Sequence, residues 1–86
     1  MDYIAHRINS ISQLKKLNSD YGIEIDIRDD KKDLVVVHDP FKKGIKLNHY
    51  LKHYNHKLII ANIKSERIED DVIKMFTKFN INNFFF

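Results

Sequence analysis

Acidic and histidine side chains that could bind a cation or transfer a proton lie close together in the first half of the chain. Glu24 and Asp26 stand two residues apart in a strict alternation of apolar and polar residues. This pattern predicts a strand with both carboxylates on one face. A second apolar run ends directly in His38 and Asp39. Paired carboxylates near an imidazole suit the binding of a hard cation beside a proton-transfer group.

The elements that must position these side chains are predicted from the periodicity of the apolar residues. Ser10 and Gln13 fit a capping box at the start of the first helix, Ser65 is the expected N-cap of the last helix, and Asn80 is its expected stop. The predicted strands lie at 3–5, 23–28, 34–37, 57–64 and 81–86, and the predicted helices at 11–21, 47–54 and 65–79.

Strands that alternate with amphipathic helices predict parallel βα units and an α/β fold. The carboxyl ends of parallel strands share one edge of the sheet, and α/β proteins build their sites there. Four polar pairs lie at this edge: His6 and Arg7, Glu24 and Asp26, His38 and Asp39, and Asn62 and Lys64. We therefore expect one site made of residues that are distant in the sequence.

Composition and charge narrow the class of protein. The 86 residues predict one small domain, 1–86, and a hydrophobic content of 43% is that of a globular chain. The net charge of +3 comes from scattered lysines, which argues against a nucleic-acid partner. The absence of cysteine excludes disulfides and thiolate chemistry. With no signal sequence and no run of about 20 apolar residues, we expect a cytoplasmic protein without a transmembrane segment.

Taken in order, the polar motifs resemble those of the glycerophosphodiester phosphodiesterase family, which belongs with the phosphatidylinositol-specific phospholipase C-like phosphodiesterases. The matching segments are AHRIN, GIEIDIR and LVVVHDPF, with LIIANIK as a fainter fourth. The resemblance covers essentially the whole chain. It implies the hydrolysis of a glycerophosphodiester to an alcohol and glycerol 3-phosphate.

The resemblance also implies a role for each matching residue. Six positions match: the general acid and base His6 and His38, the ligands of Ca²⁺ or Mg²⁺ Glu24 and Asp26, and the phosphate-binding Arg7 and Lys64. Asn62 stands at the position of the third metal ligand. Two positions depart from the family pattern, because Ile8 replaces the glycine of His-Arg-Gly and Asn62 replaces the glutamate of Glu-x-Lys. An asparagine carbonyl can ligate either cation but brings no charge, so the implied metal site is weaker.

The fold that the resemblance implies is a (β/α)₈ barrel, which typically needs about 250 residues. The chain corresponds to its first half, so we expect a truncated barrel that is a fragment or a shortened copy of a longer protein. Two functions remain open: a phosphodiester hydrolase that is inactive as this isolated piece, or a non-catalytic remnant that acts by associating with another chain. Open edges at 3–5 and 81–86 predict self-association or the recruitment of a complementary half-barrel.

Each motif also has an interpretation without chemistry. The paired carboxylates suit the solvated face of a half-buried strand, and His38 with Asp39 suits a strand end that enters a turn. His6 suits a partly buried residue bonded to backbone. The three remaining histidines are expected at the surface, because no carboxylate accompanies them.

Overall fold

The long strand β2 (Gly22–Asp30) is the centre of the fold, because its alternating isoleucines give it one fully apolar face. In the computed structural model, which describes residues 3–86, Ile23, Ile25 and Ile27 are completely buried. The chain forms a compact α/β domain with a mixed, open, six-stranded sheet. The other elements are β1 (Ile4–Ala5), α1 (Ile11–Lys16), β3 (Asp33–Val36), β4 (Ile45–Lys46), α2 (Leu47–Leu51), β5 (Ile59–Ile63), α3 (Glu69–Lys78) and β6 (Phe84–Phe85).

Four of these strands are parallel neighbours in the order β1–β2–β5–β6. β1 pairs with the start of β2, where Ala5 lies opposite Ile23. β5 pairs along the other edge of β2, where Asp26 lies opposite Asn62. Each connection between consecutive parallel strands contains one helix, as the crossover between parallel neighbours requires.

The expectation that all strands are parallel is wrong for the segment between β2 and α2. β3 runs antiparallel to β2. β4, which lies between the predicted strand 34–37 and the predicted helix 47–54, runs antiparallel to β3. Only Lys31 and Lys32 connect β2 to β3, and a two-residue connection permits a hairpin but no crossover. Lys31 takes a φ of 59°, which non-glycine residues seldom adopt. Within residues 3–86 the sheet does not close into a barrel.

All three helices contribute to one apolar core on the isoleucine face of β2. Leu14 of α1, Tyr50 of α2 and Phe76 of α3 are completely buried in this core. Phe84 of β6 belongs to the same side, with its ring centroid 4.9 Å from that of Phe76. The core is therefore a layer between the sheet and the helices.

The opposite face of the sheet, called the open face below, takes no part in this core. The strand register places Glu24, Ile60 and Phe85 side by side on the open face. Each follows a residue of its strand that points to the core, and successive side chains point to opposite faces. Phe85 is 59% exposed, and Glu24 and Ile60 are only partly buried. These three side chains thus remain at least partly accessible, whereas Asp26 on the same face is buried.

The ends of the helices agree with the sequence at two predicted positions. Ser10 caps α1, because its Oγ accepts a hydrogen bond from the N–H of Gln13 at 3.1 Å. Asn80 follows α3 with a φ of 61°, and the next N–H, that of Ile81, donates to the carbonyl of Phe76 at 2.8 Å. This pairing is a Schellman motif, which asparagine suits because it tolerates a positive φ.

Other helix limits differ from the prediction. α3 begins at Glu69, four residues after the expected N-cap, and α1 and α2 end at Lys16 and Leu51 instead of 21 and 54. Ser65 does not cap the helix because its hydroxyl accepts the N–H of Asp29 at 3.0 Å, at the end of β2. Within residues 3–86, no helix has both the length and the apolar character needed to cross a membrane.

One histidine expected at the surface is buried. His56 is 8% exposed, and its Nε2 lies 3.0 Å from the carbonyl oxygen of Leu17. His49 and His53 are both exposed, as expected. The spacing of the three residues therefore reflects a short helix followed by a packed turn.

Candidate functional site

The loop between β1 and α1 is held against β2 at the position of the candidate site. The N–H of Ile8 donates to the carbonyl of Glu24 at 2.9 Å. The hydroxyl of the buried Tyr50 donates to the carbonyl of Ile8 at 2.5 Å. Burial raises the pKa of this phenol far above its usual range, so Tyr50 remains a hydrogen-bond donor at neutral pH. These two bonds fix the loop that follows His6 and Arg7.

Asn9 connects the same loop to Asp26 through both ends of its side-chain amide. Its Nδ2 donates to Oδ2 of Asp26 at 2.8 Å, and its Oδ1 accepts the backbone N–H of Asp26 at 3.0 Å. Asp26 is only 1% exposed. A buried carboxylate is costly unless it is hydrogen-bonded, so the Asn9 amide is a structural requirement for placing a charge here.

His6 lies on the open face next to Glu24. Its Nδ1 is 3.2 Å from Oε1 of the carboxylate, and the histidine side chain is 76% exposed, whereas that of Glu24 is 22% exposed. A carboxylate at one ring nitrogen orients an imidazole and leaves the other nitrogen available to exchange a proton. The pair is therefore arranged for acid–base chemistry on a molecule that approaches from solvent.

Lys64 supplies the positive charge that faces Asp26. Its Nζ lies 3.8 Å from Oδ1 of Asp26, and the lysine side chain is 27% exposed. Asn62 is the direct neighbour of Asp26 across the parallel strands and makes no side-chain hydrogen bond within residues 3–86. The ammonium and this amide therefore lie beside the buried carboxylate on the accessible side of the sheet.

Arg7 has an unusual backbone conformation for a residue with a long side chain. Its φ is 53°, in the left-handed region, and the residue is exposed. Strained conformations of this kind cost about 1–3 kcal/mol and are often found at binding sites. Within residues 3–86 the guanidinium of Arg7 makes no ion pair or hydrogen bond, so it is available to an anion.

His38 lies apart from the other candidate residues. Its carbonyl accepts hydrogen bonds from Nε and Nη2 of Arg28 at 3.0 and 2.7 Å. It borders a cavity of about 310 Å³ together with Asn9, whereas Glu24 and Asn62 line a different cavity of about 350 Å³. His6, Glu24, Asp26, Asn62 and Lys64 thus form one cluster, and within residues 3–86 no hydrogen bond or ion pair joins the side chain of His38 to it. Asp39, the next residue, accepts the N–H of Phe41 at 2.8 Å, as in a turn.

The donor atoms of this cluster have the chemistry that Ca²⁺ or Mg²⁺ prefers, but their arrangement does not fit such an ion. Glu24, Asp26 and Asn62 offer oxygen ligands. However, the oxygens of Asp26 already face Asn9 and the ammonium of Lys64, and Oε1 of Glu24 faces His6. Within residues 3–86 no group of three or more histidine, aspartate or glutamate side chains could hold a metal.

Two residues that build the site are missing from the sequence-based prediction. Asn9 forms the bond to Asp26, and Tyr50 holds the loop in place. The position of Asn9 directly before a capping serine marks it as loop, but nothing local indicates a contact 17 residues away. Tyr50 gives only the helical apolar spacing of a core residue.

Fold and site together define a two-layer α/β domain whose open sheet face carries a polar cluster near the carboxyl ends of its parallel strands. Comparisons of the chain with protein-family models, with curated proteins and with solved structures give no match. The function is therefore argued from the cluster itself.

Proposed function

We propose that the chain provides a phosphodiester-hydrolase site of the glycerophosphodiester phosphodiesterase type, on a sheet equivalent to the first half of a (β/α)₈ barrel. The observation that carries the proposal is the contact of His6 with Glu24 and of Lys64 with Asp26 on the open face. Sequence motifs that are distant along the chain, and that resemble one family in their order, meet there on neighbouring strands.

The proposed reaction is the attack of a water oxygen on the phosphorus of a glycerophosphodiester. One imidazole accepts a proton from the water, the phosphorus–oxygen bond to the alcohol breaks, and the other imidazole donates a proton to the leaving oxygen. The products are the free alcohol and glycerol 3-phosphate. His6, oriented by Glu24, takes one of these roles, and His38 takes the other. Each transfer is typically worth about 10²–10⁴-fold in rate.

Two cations would stabilise the charge that develops on the non-bridging phosphate oxygens. Arg7 is exposed and unpaired within residues 3–86, and Lys64 is partly exposed beside the cluster. Donors already in place at a developing negative charge lower the barrier, because they need no reorganisation during the reaction. The family resemblance also implies a divalent cation on Glu24, Asp26 and Asn62. The proposed reaction includes none, because the oxygens of Glu24 and Asp26 already face His6, Asn9 and Lys64.

The separation of His38 from the cluster favours a second candidate function, a non-catalytic one. A half-barrel that binds a phosphodiester, or that only associates with another chain, needs the open face but no second proton-transfer group. His38 and the cluster border different cavities, which suits this alternative. The two candidate functions differ in whether the substrate is hydrolysed. In both of them Arg7 and Lys64 bind the anion.

Binding of glycerol 3-phosphate to the 86-residue chain tests the proposed function. We expect the ring-proton NMR signals of His6 to shift on addition of this product, with those of the exposed His53 as internal control. Arg7→Ala should weaken binding by about tenfold or more, because a charge-assisted bond is worth about 1.5–3 kcal/mol. The matched change Lys15→Ala on α1 should leave binding unchanged.

The hydrolysis of glycerophosphocholine, followed by phosphorus NMR in the same samples, separates the two candidates. Turnover that falls by about 10²-fold or more in His6→Ala supports the hydrolase. Binding without turnover fits the non-catalytic function and equally a hydrolase that is inactive as this isolated piece, so only observed turnover decides between the two candidates. If neither the His6 signals nor the phosphorus spectrum responds, both candidates are wrong.

A further inference from the structure

Within residues 3–86, the two outer edges of the parallel part of the sheet are apolar and pair with no other strand. At one edge, Tyr3 and Ile4 are 56% and 36% exposed. At the other, Phe85 and Phe86 are 59% and 54% exposed. Unpaired strand edges with apolar side chains are templates for pairing with another strand. Neither edge carries a charged residue in its strand, so nothing repels an apolar partner strand there.

We infer that a second copy of this chain pairs with both edges, with β6 of each copy lying beside β1 of the other about a twofold axis. The inference rests on the half-barrel architecture of the proposed function and names the partner of that half-barrel, a second copy of the chain. It does not need the site to be catalytic. An inactive dimer would therefore leave it intact.

The strand order explains why a second copy closes the assembly. One copy contributes the four parallel strands β1–β2–β5–β6. A twofold axis that runs along the strands keeps the strands of both copies parallel and pairs each β6 with the β1 of the other copy. Two copies then have eight strands in a ring with no free edge, and an eight-stranded barrel is the size that side chains alone can fill.

The rest of the fold leaves room for this closure. The β3–β4 hairpin pairs with β2 at Ile27–Asp30, whereas β1 pairs with β2 at Gly22 and Ile23, so the hairpin does not cover the outer edge of β1. The helices all contribute to the core on the other face, which places them outside the ring. A stable dimer buries about 800 Å² per partner, about one-seventh of the 5877 Å² surface of the chain.

Closure would bring two copies of the polar cluster to one mouth of the barrel. In each copy His6, Glu24 and Lys64 lie on the open face, which becomes the interior. Ile60 and Phe85, now exposed or partly exposed, would become interior side chains. The partner copy would thus complete the half of the mouth that a single copy lacks.

The mass of the 86-residue chain in sedimentation equilibrium tests the inference. At micromolar concentrations we expect a single species of twice the monomer mass that stops at two copies. Phe85→Lys and Ile4→Glu should each weaken the dimer by tenfold or more. Phe41→Lys, which changes a 96% exposed phenylalanine in the loop before β4, should leave it unchanged.

Mixing the two edge variants distinguishes closure from other modes of association. In a mixed dimer one junction is wild type, and the other brings the introduced lysine of one copy against the introduced glutamate of its partner. This opposite-charge pair should let the mixture regain the dimer that neither variant forms alone. Circular dichroism shows whether each variant is folded, and the wild-type mass decides the question even if one is not. A wild-type monomer, open-ended oligomers, or equal loss of the dimer in Phe41→Lys would each overturn the inference.

Discussion

The contact between Asn9 and Asp26 gives the sharpest test of how the site is built. Asn9→Ala removes one hydrogen bond to a buried carboxylate and one from a backbone N–H. A bond to a charged group contributes about 1.5–3 kcal/mol and a neutral one about 0.5–1.5 kcal/mol, so the loss is about 2–4.5 kcal/mol. A chain of this length has a total stability of about 4–13 kcal/mol. The variant should therefore be severely destabilised.

The free energy of unfolding in urea and the melting temperature measure this loss. For a domain of this size each kcal/mol lowers the melting temperature by about 4–8 °C, so we expect a decrease of about 10 °C or more. Asn55→Ala is the matched control, because Asn55 is exposed and makes no hydrogen bond within residues 3–86. It should change stability by less than about 0.5 kcal/mol.

Asn9→Asp separates the contact itself from any general effect on the loop. This variant keeps the size of the side chain but places a second carboxylate where an amide now donates to Asp26 at 2.8 Å. Two adjacent carboxylates repel unless one takes up a proton. The variant should be less stable than Asn9→Ala at neutral pH and should recover relative to it as the pH falls towards about 4, the usual pKa of a carboxyl group. If Asn9→Ala costs no more than Asn55→Ala, or if Asn9→Asp shows no such recovery, the argument is wrong.

Three other predictions concern the cation, the core and the tyrosines. Asn62→Glu adds a third carboxylate beside Asp26, so calorimetry should detect Ca²⁺ binding that is at least tenfold tighter than in wild type; equal heats would count against a cation site on this face. Phe76→Ala should cost about 3–5 kcal/mol, because Phe76 is completely buried, whereas Phe41→Ala should have little effect; similar melting curves for the two variants would contradict the assignment of the core. Desolvation raises the pKa of Tyr54 to about 12 and raises that of Tyr50 further. The two neutral phenols therefore contribute their full share to the stability of the fold below the unfolded-state pKa of about 10, and this share is lost as the pH rises towards and beyond 12. The melting temperature should thus fall above about pH 10, and it should fall less steeply in Tyr54→Phe than in wild type or in Tyr3→Phe. A wild-type melting temperature that does not change above pH 10 would refute this.

The sequence predicts those parts of the fold that local pattern determines. Alternating isoleucines define β2 and its buried face, and Ser10 and Asn80 mark helix ends through their own side-chain or backbone preferences. The convergence of His6 with the polar pairs of β2 and β5 on one face also follows, because parallel strands and period-two alternation leave little choice.

The remaining features depend on contacts between distant segments. The turn at Lys31 and Lys32 lacks the glycine or asparagine that usually marks a two-residue hairpin, so the sequence does not predict the antiparallel strands. Ser65 has the chemistry of an N-cap, but the N–H of Asp29, which is 36 residues away, takes its hydroxyl. Asn9 escapes prediction for the same reason, since only the folded sheet brings it to Asp26.

The placement of the polar cluster connects stability, association and function. The buried carboxylate of Asp26 is tolerated on a sheet face because Asn9 and Lys64 face it. His6, which contacts Glu24 on the same face, is 76% exposed and therefore surrounded by water. In water the interaction of two charges about 4 Å apart is about 1 kcal/mol, and it rises to about 4 kcal/mol where the effective dielectric constant is about 20. Covering the open face would thus strengthen the Lys64–Asp26 interaction without moving any residue. Any activity of the site should consequently depend on the surface that covers this face as strongly as on the site's own side chains.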